Sequence, residues 1–112
     1  MIRNVSRDNA VIATQVHRCD SFLARLSGML GKPKPGPLEA YWLIPCNSIH
    51  TLGMGYSLDV YFLSRENRVV KALTDVLKNR LTGVCFGAYS ALEFACVENR
   101  NCREGDLLNI EV

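Results

Sequence analysis

Apolar and polar positions alternate along most of this chain, and the periods they keep predict strands. Residues 10–17, AVIATQVH, are β-branched and partly alternating and read as an opening strand. From Leu38 the two-residue period recurs: LEAYWLIP places Leu38, Ala40, Trp42 and Ile44 on one face, while LDVYFL is apolar on nearly both. RVVKALT, YSALEFACV and LLNIEV complete the series, and SRENR and REGD supply turns. One stretch keeps a different period. In CDSFLARLSGMLG, Phe22, Leu26 and Met29 or Leu30 recur at helical spacing behind the capping candidates Asp20 and Ser21, and Gly31 can end the helix. Pro33, Pro35 and Pro37 then forbid regular hydrogen bonding and predict an exposed connection. The expected fold is mainly β: a small antiparallel sandwich of jelly-roll-like character, or a partly open barrel, with one short N-terminal helix.

Length and composition limit what such a fold can be. A chain of 112 residues, 48% hydrophobic and 21% charged, has room for one core, so residues 1–112 are expected to form a single domain. Thirteen Lys and Arg against eleven Asp and Glu leave a net charge of +2, scattered along the chain, which argues against a nucleic-acid groove. No window is apolar enough to span a membrane, and the N-terminal stretch lacks an export signal, so no membrane association is expected. Cys19, Cys46, Cys85, Cys96 and Cys102 have no paired short spacing and read as free thiols in a reducing cytoplasm; a Cys96–Cys102 disulfide would require export by another route. No zinc spacing and no cofactor motif is present, so neither metal nor cofactor is expected. The oligomeric expectation is a monomer or weak dimer.

The candidate chemistry lies in PCNSIHTLGMGYSLDVYFLS, residues 45–64. On a strand, Cys46 and His50 would stand about 13 Å apart, too far for a nucleophile–base pair or a shared metal. A tight turn at Met54–Gly55 would instead set His50 directly across from Asp59. That register puts Ile49, Leu58, Val60 and Phe62 on one face and Cys46, Ser48, His50, Asp59 and Tyr61 on the other. A loop lengthened by Gly53 would shift the register by one residue and turn His50 to the opposite face. Glu93, on a strand face with Tyr89, Ala91, Ala95 and Val97, must pair, protonate or face solvent.

The motifs IHTLGM, LDVYFL, ALEFA and REGD, in that order and with RLSGMLG before them, resemble the bacterial and archaeal family catalogued as domain of unknown function number 192, in its branch with an IHT..M motif. The resemblance covers residues 11–112. It implies a compact β-sandwich with jelly-roll character and short helical additions, and singles out Asp59, Glu93 and the closing turn at Gly105–Asp106. It implies no established activity. Relatives of this branch are sometimes encoded beside pilus or secretion machinery, which makes that machinery a candidate partner.

Two functions are compatible with these residues. The first is a non-enzymatic binding or accessory module whose face around Ser48, His50, Asp59 and Tyr61 contacts a small ligand or a protein. The alternative is a small hydrolase or carbohydrate-active enzyme using Asp59 and Glu93 or His50 as acid and base.

Overall fold

The computed structural model describes residues 1–21, 31–51 and 53–111, and in them eight strands form two open sheets. The smaller sheet contains β1 (Ile2–Asn4), β2 (Ala10–Ala13) and β8 (Leu108–Ile110), in the order β2-β1-β8. The larger contains β3 (Gln15–Cys19), β4 (Glu39–Leu43), β5 (Leu58–Leu63), β6 (Val69–Val76) and β7 (Ser90–Ala95), in the order β3-β4-β7-β5-β6. The mainly-β expectation holds, while the barrel alternative gives way to two sheets that do not close. The helix expected between Asp20 and Gly31 falls on 22–30, outside the described residues. Among the described residues no helix is long and apolar enough to cross a membrane.

One pair departs from an all-antiparallel plan: β3 and β4 run parallel, with Val16 beside Ala40 and Arg18 beside Trp42. Parallel neighbours need a crossover of a dozen residues or more, and residues 20–38 supply it. The run 10–17, expected as one strand, is two. Thr14 breaks it at a corner, its N–H donating to the Leu38 carbonyl at 2.8 Å, so that β2 pairs in one sheet and β3 in the other. The short β1 carries no sequence signal of its own and forms because β2 and β8 flank it.

The large sheet is covered on both faces, which explains why all six residues of β5 and all six of β7 are buried. Ile2, Ile12, Ala13 and Leu108 of the small sheet pack on one face, against Ala40, Tyr61, Leu63, Leu92 and Phe94. Tyr61 and Phe94 meet edge to face there, with ring centroids 5.8 Å apart. On the opposite face Tyr41, Leu43, Leu58, Val60, Phe62 and Ala91 pack with Ile49 and Met54, flanked by Tyr56, Cys85 and Ala88. Fully burying side chains of this size contributes roughly 1.5–3 kcal/mol each. The expected face of LEAYWLIP survives only at its centre. Ala40 and Trp42 do share the sandwich side, but Leu38 is exposed and Ile44 lies beyond the strand.

Candidate functional site: a buried carboxyl on the second face

The segment 45–57 does not fold back on β5. The backbone of 47–51 pairs instead with residues 80–85: the Thr51 N–H donates to Arg80 O at 2.8 Å, Thr82 N–H to Ile49 O at 2.9 Å, and Cys85 N–H to Asn47 O at 2.7 Å. His50 bridges Leu81, and Asp59 stands opposite Phe94. The expected His50–Asp59 pairing is therefore corrected. The reason is that both edges of β5 are taken, by β6 on one side and β7 on the other, which leaves no ladder for the preceding segment. The chain turns at Gly53 (φ 77°), where Met54 N–H reaches Thr51 O, ahead of the expected Met54–Gly55 turn. The predicted apolar face survives the correction, because alternation within β5 sets it: Ile49, Leu58, Val60 and Phe62 all lie on the second face of the large sheet.

The polar face of Ser48, His50, Asp59 and Tyr61 is not assembled. Ser48 is exposed, its carbonyl accepting from the Cys46 thiol at 3.1 Å, and His50 is half-buried beside Leu81. Asp59 and Tyr61 point to the sandwich side, where both line a cleft of about 580 Å³ with Asp75, Cys96, Arg100 and Arg103.

Asp59 is committed to holding that region together. At the bulge where Leu58 faces Val76 but Val60 faces Leu73, its Oδ1 accepts the Asp75 N–H at 2.9 Å. Its Oδ2 accepts the Val97 N–H at 3.3 Å and lies 3.6 Å from Arg100 Nε. Arg100 in turn donates to Pro37 O and Ala95 O and lies over the Phe94 ring at 3.8 Å. This carboxylate ties three segments to a buried guanidinium and has little left with which to do chemistry. The nearby Cys96 thiol is pushed up to about 11, by burial first and then by Asp59 and Asp75, which makes it a poor nucleophile.

Glu93 is different. It lies between Tyr41 of β4 and Val60 of β5, on the second face of the sheet, and is 4% exposed. Among the described residues its Oε1 has no hydrogen-bond partner. Burial pushes its carboxyl up to about 7, against the pull of Lys32. Among the described residues the Tyr56 hydroxyl is also buried without a partner, and its phenol is raised by burial and then by Tyr41, Glu93 and Glu39. Cys19 completes the neighbourhood, its thiol raised mainly by burial, with Lys32 opposing and Glu93 adding. Lys32 places its Nζ 5.0 Å from the centre of the Tyr41 ring, and His17 stacks on that ring at 4.5 Å while meeting Glu39 Oε2 at 2.6 Å.

A buried acid and a half-buried tyrosine whose hydroxyl is out of water, each with unused hydrogen-bonding capacity, thus lie on one face of the large sheet. Sequence reading marked Glu93 by the mismatch between its charge and its strand neighbours. It missed Tyr41, Tyr56, Cys19 and Lys32, which the β4–β7 register and the crossover bring to it. Tyr41 alone was within reach, since alternation in LEAYWLIP puts it with Leu43 on the face opposite Trp42. Among the described residues no group of three His, Cys, Asp or Glu could hold a metal ion, and the five cysteines are free thiols.

No family model matches the chain, and no curated protein matches it. Two solved structures share its fold. One is a protein of unknown function from Novosphingobium aromaticivorans, with a TM-score of 0.76 and 13% identity over 85% of this chain and 74% of that one. The other is a proposed transcription regulator from Sinorhizobium meliloti, with a TM-score of 0.72 and 13% identity over 84% of this chain and 79% of that one. Likeness at this identity shows a common fold and nothing of activity.

Proposed function

We propose that this small β domain binds a ligand without transforming it, and that Glu93, on the face of the large sheet where Tyr41 and Tyr56 also pack, is its polar recognition point. The observation that carries this reading is the buried Glu93 Oε1, unpartnered among the described residues. A strand carboxyl held out of water without a partner costs stability, and a ligand that completes its hydrogen bonds recovers that cost. The acid–base alternative has less support. Asp59 and Glu93 leave opposite faces of the large sheet, and Asp59 is already occupied by two backbone amides and Arg100.

Membership of the domain of unknown function 192 family is part of the same proposal. It is supported by where the four motifs fall: LDVYFL is β5, ALEFA lies within β7, IHTLGM contains the turn glycine Gly53, and REGD forms the turn in which Asp106 N–H donates to Arg103 O. The test of the binding reading is an NMR screen of a small polar fragment library against the wild type and Glu93→Gln. The expected result is that hits perturb Tyr41 and Tyr56 and weaken at least tenfold in the variant. Fragments that bind both proteins equally, or that all map to the Asp59 cleft, would overturn it.

A further inference from the structure

The rim of the Glu93 site already holds a cation, and that cation belongs to the chain itself. Lys32, exposed on the proline-rich connection, reaches across to the Tyr41 ring at 5.0 Å. An ammonium over a tyrosine face is attracted by the ring quadrupole, the more so where water is excluded. The groups near this ring favour positive charge: Glu93 is the cross-strand partner of Tyr41, Glu39 meets the His17 stacked on the ring, and Tyr56 packs on the same cluster. His17 covers the ring by stacking and is engaged with Glu39. The chemistry that matches an orphaned carboxyl oxygen, an orphaned phenol and an aromatic face is a compact donor-rich cation. A primary ammonium has three N–H donors and no acceptor.

We infer that the Glu93–Tyr56–Tyr41 site takes a primary ammonium group on a short apolar stem, and that Lys32 occupies its aromatic rim in cis and competes with the incoming ligand. The inference rests on the ligand-binding reading of Glu93 and adds the class of ligand and an internal competitor. Binding transfers the Tyr41 face from the Lys32 ammonium to the ligand's, while the ligand's donors reach Glu93 Oε1 and the Tyr56 oxygen. No bond is made or broken.

The probe is n-butylammonium, with n-butanol as the neutral analogue of the same stem, titrated by NMR into wild type, Lys32→Gln and Glu93→Gln. Lys32 is exposed, and Glu93→Gln exchanges a carboxyl for a neutral amide of the same shape. Both variants should therefore keep the fold, which the amide spectrum of each verifies. The expected result is that n-butylammonium shifts the Tyr41 and Tyr56 ring signals, binds Lys32→Gln about tenfold more tightly than wild type, and loses at least tenfold in Glu93→Gln. Butanol binding as well as butylammonium, or Lys32→Gln binding no more tightly, overturns the inference. The two readings fail differently. If fragments of another class bind in a Glu93-dependent way while butylammonium does not, the site stands and the ammonium assignment falls; if nothing shifts Tyr41 or Tyr56, both fall.

Discussion

Asp59 faces Phe94 across β5 and β7, so Glu93, one residue earlier on β7, projects from the other side of the sheet. The two acidic residues of the central strands are thereby separated by the sheet itself, and they have opposite characters. One is saturated with partners and structural. The other is desolvated and has an oxygen to spare. Each behaves differently under mutation, and the difference is measurable.

Removing the Asp59 carboxylate should damage stability severely. Asp59→Ala leaves Arg100, whose side chain is 5% exposed, as an uncompensated buried charge and strips acceptors from the Asp75 and Val97 amides. Breaking a buried pair in this way costs on the order of 3–5 kcal/mol. Chemical denaturation should show that loss. A cost under about 1 kcal/mol would mean that Arg100 finds another partner.

Glu93 should make stability fall as the solution becomes more alkaline. Its folded carboxyl sits near 7 against an ordinary 4.5, so the fold binds its proton more tightly than the unfolded chain does. That contribution is complete below the unfolded value and is lost as pH rises through about 7, with a span of roughly 3 kcal/mol. Glu93→Gln should abolish this slope and leave the variant the more stable protein near pH 8. Parallel pH profiles for the two proteins would contradict the assignment.

The Asp106 carboxylate should have the opposite pH signature. Burial alone would raise it, but hydrogen bonds from Asn4, the Arg103 amide and Arg7 outweigh burial and hold it below the ordinary range. Its contribution is present above the ordinary aspartate value and is lost as acid drives pH down through the lowered one. Asp106→Asn should therefore remove part of the protein's acid sensitivity while costing about 1.5–3 kcal/mol at neutral pH. Urea midpoints at pH 3 and pH 7 check both.

Thr51 offers a test of the segment that replaced the expected hairpin. Its buried hydroxyl donates to Leu77 O at 2.6 Å and accepts the Arg80 N–H at 2.7 Å, clamping 49–51 to 77–82. Thr51→Val keeps the shape and removes both bonds, at a cost of about 1–3 kcal/mol. Faster amide exchange confined to residues 77–82 would locate the loss; unchanged exchange there would show that the backbone bonds suffice.

How much of this could be read from residue order differs from strand to strand. β5 and β7 were legible because strand-length runs with apolar residues on both faces need cover on both, whatever supplies it. β6 and β8 were legible from alternation beside clear turns. The partners of segment 45–57 were not, because local pairing across a glycine turn looks sufficient until β6 and β7 are known to fill both edges of β5. The Thr14 corner was hidden for a similar reason: a β-branched run reads alike whether it stays in one sheet or passes between two. Glu93 could be flagged from its neighbours, whereas the residues around it arrive from β3, β4 and the crossover, at separations no local period encodes.

The pairing of β1 with β8 sets Ile2 beside Ile110. The middle strand of the small sheet therefore takes one neighbour from close by in sequence and the other from the far side of the described residues. Leu63, Leu92 and Phe94 gain the whole of their cover only when Leu108 has joined Ile2. Contacts between such distant residues are slow to close, since the entropy of the whole intervening loop must be surrendered first. The sandwich side of the large sheet is therefore a surface whose cover closes late in folding.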